Sequence, residues 1–313
     1  MKALVTGAAG FVGSHLCEGL LAEDHEVRGV DCFLPYYPRS IKEANLAGAR
    51  GHSSFEFHEA DLVTADLAPL LDGIDCVFHQ AAQAGVRTSW GEDFRIYSDN
   101  NVYATQRLLE ACKGSGGPGR FVYASSSSVY GDSEDLPVSE SSPTRPVSPY
   151  GVTKLAAEHL AWLYWKNYEV PTVSLRYFTV YGPRQRPDMA FHRFISAALG
   201  GDTVSLYGDG SQSRDFTFVA DIVAANIAAA TADAVGRSFN IGGGTRATVN
   251  EVLETVGRIV GNPVPVTRHD VQKGDVRHTA ADTSAARSAL GFAPAVGLEE
   301  GLSRHADSLK DSA

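Results

Sequence analysis

The sequence predicts an α/β fold: a doubly wound parallel sheet followed by a smaller, mixed α/β lobe. Three observations carry the prediction. Short apolar stretches alternate with helical ones from Lys2 to Phe178, the pattern of parallel strands joined by right-handed helical crossovers. A glycine-rich turn stands directly between the first strand and the first helix. After Phe178 the pattern changes: proline and arginine crowd a loop from Thr179 to Ala190, and the segments beyond it are shorter and of both kinds.

Lys2 to Thr6 reads as a buried strand, and Gly7-Ala-Ala-Gly10-Phe11-Val12-Gly13 follows it before a helical stretch from Ser14 to Glu23. Such a turn lets the backbone approach a pyrophosphate and aims the helix N-terminus at it, so the first half reads as a Rossmann-type dinucleotide fold. His25 to Asp31 is a second strand that ends in an acid. Asp31 is placed to bind the adenosine ribose hydroxyls, and its charge would repel a 2′-phosphate, which selects NAD over NADP. Phe55 to Asp61 is the third strand, with Asp61 and Leu62 placed to touch the adenine. Asp75 to Gln80 is the fourth, and the small residues Ala81 and Ala82 after it let the backbone pass close to the cofactor. A helix from Phe94 to Lys113, a strand from Arg120 to Ala124, a helix from Tyr150 to Asn167 and a strand from Thr172 to Phe178 complete a first domain, residues 1–178. Ligands of such sheets bind at the carboxyl ends of the strands, where all of these motifs fall.

Residues 179–313 read as a substrate lobe with segments returning to the first domain. Its expected elements are Phe191 to Leu199, Thr203 to Tyr207, Phe218 to Ala232, Phe239 to Gly242 and Val249 to Val260.

Composition narrows the function. With 27 basic and 37 acidic side chains among 313 residues, the net charge is -10, which argues against a nucleic-acid or anionic-membrane surface. An anionic ligand must then be held by a few placed arginines and backbone amides. Cys17, Cys32, Cys76 and Cys112 lie far apart without a Cys-x-x-Cys pair, as expected of reduced thiols in a cytoplasmic protein. No apolar run of about 18 residues is present to span a bilayer, and the ten scattered histidines lack metal-ligand spacing.

Tyr150-Gly-Val-Thr-Lys154 carries the chemistry. Residues i and i+4 share a helix face, so the phenol and the ammonium can point into one cleft. An ordinary tyrosine has a pKa of about 10, and a neighbouring cation can lower it by about 1–3. Tyr150 is thereby a candidate general base, primed by Lys154.

Together, Gly7-x-x-Gly10-x-x-Gly13, Asp31, Asp61-Leu62, Ala81-Ala82, Asn101, the serines before Val129-Tyr130-Gly131, Tyr150-x-x-x-Lys154 and Arg214-Asp215-Phe216 resemble the extended short-chain dehydrogenase/reductase family nearly end to end. Ala81-Ala-Gln-Ala-Gly-Val-Arg87 and Gly182-Pro-Arg-Gln-Arg-Pro-Asp-Met-Ala190 look most like its nucleotide-sugar 4-epimerases, closest to UDP-glucuronate 4-epimerases. The resemblance implies oxidation at C4 of a UDP-sugar by tightly held NAD, with Tyr150 as base and Lys154 also binding the nicotinamide ribose. It places Ser126 beside Tyr150, to hydrogen-bond the sugar O4. It makes Arg214 and Arg277 a pyrophosphate clamp and puts Thr179 near the nucleotide. Related 4,6-dehydratases carry an Asp-Glu pair where this chain has Ser127 and Ser128, and related decarboxylases a Glu at the second position, so simple epimerisation is favoured.

A 4-keto uronate is a β-keto acid that loses CO2 readily unless its carboxylate is gripped. Arg186 is the candidate for a bidentate, charge-assisted grip, with hydrogen bonds from Ser127 and Ser128; Arg87 is a weaker candidate. The helices 94–113 and 150–167 resemble the pair that forms a four-helix homodimer interface in the family, with Trp162, Tyr164 and Trp165 as aromatic surface. The rival readings are a 4-epimerase of neutral or N-acetylated UDP-hexoses, a UDP-glucuronate decarboxylase or nucleotide-sugar 4,6-dehydratase, and a non-catalytic NAD-sensing protein.

Overall fold

The computed structural model describes residues 1–114, 116–201, 203–270, 274 and 276–311. Twelve strands lie among them: β1 Lys2–Thr6, β2 Glu26–Asp31, β3 Phe55–Glu59, β4 Cys76–His79, β5 Arg120–Ser126, β6 Thr172–Tyr177, β7 Val180–Tyr181, β8 Val204–Tyr207, β9 Ser213–Phe218, β10 Arg237–Ile241, β11 Thr245–Thr248 and β12 Val266–His269. Seven form one sheet in the order β10-β6-β5-β4-β1-β2-β3, and every pair in it is parallel.

Alternation along the strands builds the two layers on either side of this sheet. Ala3 and Val5 of β1 join Leu16, Leu20, Phe78, Val122, Ile222 and Ala225 on one face. Leu4 goes to the other face, with Val77, Leu108, Phe121, Tyr123 and Ala157. The helix Phe11–Ala22 and the helix Val219–Thr231 cover the first face, so closely that a Cβ at Gly19 would lie 2.7 Å from Val223 Cγ1. The helices Ala104–Ala111 and Pro149–Tyr168 cover the second. Strand β10 comes from beyond residue 178 and completes the edge beside β6. The remaining segments pack separately around Tyr181, Phe191, Phe194, Phe216 and Val252, over two small sheets, β11-β9-β7 and β12-β8.

Several elements differ from the sequence reading. The stretch expected as one helix from Phe94 to Lys113 is α-helical at Phe94–Tyr97, a π turn at Ser98–Tyr103 and α-helical again at Ala104–Ala111. The π turn holds the buried Asn101, whose side chain bonds the main chain of Gln83 on both sides, accepting from its N–H at 2.7 Å and donating to its carbonyl at 3.0 Å. Helices Arg39–Asn45 and Leu298–Lys310 and strands β9, β11 and β12 were not legible as elements. Of the three aromatics expected on one surface, Trp162 is open. Tyr164 is buried, bonded to Gln106 and Glu110, and Trp165 packs on Gly236. The hydroxyl of Tyr164 finds its partners on the neighbouring helix, which draws the ring inward.

Candidate active site

A cleft of about 450 Å³ opens at the carboxyl ends of β1, β2, β4, β5 and β6. Its cofactor side is built by close backbone approach. Gly7 has φ +69°, and a Cβ there would meet the Ala81 amide nitrogen at 2.8 Å. A Cβ at Gly13 would sit 2.0 Å from the Gly7 carbonyl oxygen. Gly10 caps the following helix without a side-chain hydrogen bond, which leaves the first-turn amides at Phe11 and Val12 to an anion, with the positive end of the helix behind them.

Asp31 closes this side. Its carboxylate accepts from the Ala9 amide at 3.1 Å and the Phe33 amide at 2.8 Å, so the acid is tied to the glycine turn. Burial pushes its pKa up, while Lys42 and those amides pull against the rise. Asp61, Leu62, Ala81 and Ala82 line the same wall, with the Ala81 amide bonded to Thr6 Oγ1 at 3.2 Å. A glycine cradle that any side chain would fill, a helix start without a side-chain cap and a half-buried acid at the end of β2 together fit the dinucleotide expected from the sequence.

Tyr150, Lys154, Ser126, Ser127, Ser128, Thr179 and Arg186 line the same cleft. Ser148 caps the helix that carries Tyr150 and Lys154, its Oγ accepting from the Gly151 amide at 3.1 Å, and Pro149 occupies the first turn, where no N–H is needed. Ser126 ends β5, its Oγ accepts from the Ser128 amide at 3.1 Å, and its side chain acts on the Tyr150 phenol.

The electrostatics depart from expectation. Burial pushes the Tyr150 phenol above its ordinary value, and the groups that pull it back are the Ser126 hydrogen bond and the charge of Arg186. Lys154 points its ammonium at the Ala124 carbonyl, 2.6 Å away. Burial lowers the lysine to about 7, against an upward pull from Glu158. Among the groups that bear on the phenol here the cation is Arg186, while Lys154, its ammonium turned to Ala124, holds its own proton less firmly through burial.

Arg87, Arg214 and Arg277 do not line the cleft. Arg87 stacks over Tyr207 at 4.5 Å. Arg214 bonds the carbonyls of Val276 at 2.6 Å and Arg277 at 3.2 Å, and the Arg277 amide bonds Asp132. Arg214 and Arg277 are thus neighbours, outside the lining of the cleft.

Other lining residues carry no motif. Lys42 reaches the Leu34 carbonyl at 2.8 Å beside Asp31, from a short helix the apolar pattern did not reveal. Tyr177 of β6 meets Gln80 at 3.1 Å and Asn226 at 2.7 Å. Deeper in, Glu158, one helical turn beyond Lys154, pairs with Arg176 and accepts from Ser125 at 2.6 Å and Ser238 at 3.1 Å, bracing the helix against β5, β6 and β10.

Comparison with known proteins agrees with this geometry. The model of the NAD dependent epimerase/dehydratase family matches residues 3–242. An uncharacterized UDP-glucose epimerase of Bacillus subtilis is 47% identical over 304 residues, 96% of each chain. A UDP-glucuronic acid 4-epimerase from Bacillus cereus, solved with UDP-glucuronic acid and NAD, is 44% identical and covers 100% of both chains with a TM-score of 0.97. MoeE5, solved with UDP-glucose and NAD, is 43% identical, with a TM-score of 0.91 over 100% of this chain and 99% of its own. The architecture, the cradle at Gly7 to Gly13 and the match over most of the length lead to one conclusion: the chain belongs to the NAD dependent epimerase/dehydratase family.

Proposed function

We propose that this chain is an NAD-dependent UDP-glucuronate 4-epimerase, interconverting UDP-glucuronate and UDP-galacturonate through a transient 4-keto sugar. The observation that carries the reading is one cleft lined together by Tyr150, Ser126, Lys154, the glycine cradle, Asp31 and Arg186. The C–H of a secondary alcohol is too weakly acidic for a side chain to invert the carbon by deprotonation. Bound NAD supplies the acceptor, and afterwards the donor, of the C4 hydride.

Within this scheme Tyr150 takes the O4 proton and returns it after the sugar has turned its other face. Ser126 hydrogen-bonds O4 and Tyr150 together, while Lys154 holds the nicotinamide ribose. Gly7, Gly10, Phe11, Val12 and Gly13 cradle the pyrophosphate; Asp31 takes the ribose hydroxyls, and Asp61, Leu62, Ala81 and Ala82 enclose the rest. Arg186, Ser127 and Ser128 grip the sugar carboxylate and hold it out of line with the C4 carbonyl, which prevents loss of CO2. Hydroxyls at 127 and 128 cannot serve as the carboxylic acid pair that dehydration needs. Thr179, Arg214 and Arg277 receive the nucleotide, and Arg87 is the second, weaker candidate for the carboxylate. An NMR time course of the protein with UDP-glucuronate tests the whole: UDP-galacturonate must accumulate, and net NADH or CO2 release instead would refute it.

A 4-epimerase of neutral UDP-hexoses is the second reading. What favours it is that an uncharacterized UDP-glucose epimerase is 47% identical over 96% of this chain, and MoeE5 is solved with UDP-glucose as ligand. Replacing Arg186 with Ala separates the two: the uronate reading requires loss of UDP-glucuronate turnover with neutral-sugar turnover retained.

We further propose a cytoplasmic homodimer. All four cysteines are free, as suits a reducing compartment. Phe94, Tyr103 and Val152 are exposed, and they line a shallow groove with Val102 and Leu160 across the helices of 94–111 and 149–168, a face suited to a second copy. Light scattering must then give about twice the 33.4 kDa of one chain. No helix among the described residues is long and apolar enough to cross a membrane.

A further inference from the structure

We infer that Asp188 is a positioning residue that aims the Arg186 guanidinium and so sets the preference for an acidic sugar; the inference rests on the uronate reading above. Arg186 and Asp188 stand two residues apart in an irregular loop, where opposite charges ordinarily make a loose surface pair. Here they do not. Arg186 Nε donates to Asp188 Oδ1 and Nη2 to Oδ2, both at 2.9 Å, a parallel two-bond contact. The arginine side chain is only 18% exposed while the aspartate is 44% exposed, so the pair runs from the cleft wall outward, with the cation inside.

Tyr36, from the segment after β2, holds the pair from a second direction. Its hydroxyl donates to Asp188 Oδ2 at 3.3 Å, and its ring lies 5.3 Å from the guanidinium carbon. The Tyr36 hydroxyl, Thr88 Oγ1 and the Tyr97 hydroxyl crowd together at Gly85, where a Cβ would meet them at 2.5, 2.7 and 3.0 Å; Thr88 Oγ1 lies 2.7 Å from the Tyr97 hydroxyl, and that hydroxyl donates to the Ala84 carbonyl at 3.0 Å. The aim of Arg186 is thereby referred to the same loop that borders the cofactor wall.

The consequence is geometric. Two parallel bonds fix the plane of a guanidinium, and those to Asp188 occupy the edge of Nε and Nη2. The other edge, Nη1 and the second Nη2 hydrogen, is left for a ligand. A sugar carboxylate engages both donors there, whereas a neutral C6 hydroxyl engages one. Without Asp188 the arginine must be ordered by each substrate as it binds, which weakens the grip about 10- to 30-fold, the equivalent of an arginine's rotamer freedom.

The test uses the NAD-loaded enzyme and three variants, Asp188→Asn, Asp188→Glu and Arg186→Ala. Steady-state kinetics with UDP-glucuronate are measured, together with the inhibition constant of UDP, which has no carboxylate. The inference expects Asp188→Asn to raise KM for UDP-glucuronate about tenfold or more, to lower kcat by less than that factor, and to leave UDP inhibition unchanged; Asp188→Glu regains most of the loss. An unchanged KM in Asp188→Asn overturns it, as does a parallel weakening of UDP, which would mean that the loop has simply collapsed. Arg186→Ala distinguishes the layers: if it raises KM while Asp188→Asn does not, the uronate reading stands and this inference falls; if Arg186→Ala itself changes nothing, the grip assigned to Arg186 falls and takes the inference with it.

Discussion

Replacing Lys154 with Met should stabilise the cofactor-stripped protein while abolishing turnover. Lys154 is buried, and burial lowers its pKa from 10.5 to about 7, which corresponds to about 5 kcal/mol at about 1.36 kcal/mol for each power of ten. The sign follows from proton binding. Because the folded value lies below the unfolded one, the unfolded chain holds more protons between pH 7 and pH 10.5. The lysine therefore costs its full amount below about pH 7, and the cost fades as pH rises toward 10.5. Methionine has no such cost, but it leaves the Ala124 carbonyl without its 2.6 Å donor, a loss of about 1–3 kcal/mol. The variant should exceed the wild type by about 2–4 kcal/mol at pH 6, and the difference should shrink by about 4 kcal/mol by pH 10. Urea unfolding followed by tryptophan fluorescence across that range measures it, and subtracting the two proteins cancels the other titrating groups. A difference that stays flat from pH 6 to pH 10 would show that Lys154 is not the depressed, buried cation described above.

Three further outcomes follow from the same geometry. Ser126→Ala should lower kcat about 100-fold and move the acidic limb of the kcat/KM profile to higher pH, because Tyr150 loses the strongest group opposing its upward shift; an unmoved limb would separate Ser126 from the base. In Gly13→Ala the new Cβ, built 2.0 Å from the Gly7 carbonyl oxygen, should expel NAD, read as the nucleotide released from purified protein by chromatography, and full retention would contradict the cradle. Glu158→Gln leaves the buried Arg176 without its counter-charge and should cost about 3–5 kcal/mol in urea unfolding; a loss under about 1 kcal/mol would show the brace to be unimportant.

What the sequence reveals and what it conceals separate along physical lines. β1 and β4 were legible because strands covered on both faces are apolar at every position, as Ala3-Leu4-Val5 and Val77-Phe78 are. The cradle was legible because only glycine survives where backbones come within 3 Å of a missing Cβ. β9 was not: Ser213-Arg-Asp-Phe-Thr-Phe218 carries two charges, and Asp215 is buried only because the amides of Gly244 and Ala281 reach it, at 3.2 and 3.0 Å, from 29 and 66 residues away. No local pattern announces such partners. Helix Leu298–Lys310 likewise buries only Gly301, Leu302, His305 and Ala306, too narrow a stripe to stand out from its polar neighbours. The same limit governs the chemistry. Spacing correctly put Tyr150 and Lys154 on one helix face, yet the direction of each pKa depends on how deeply that face is buried, which spacing does not encode. A lysine in water would have lowered the phenol. Buried against Ala124, it holds its own proton less firmly, and the phenol's desolvation is opposed by Ser126 and then by Arg186, a residue 36 positions away whose own charge is steadied by Asp188.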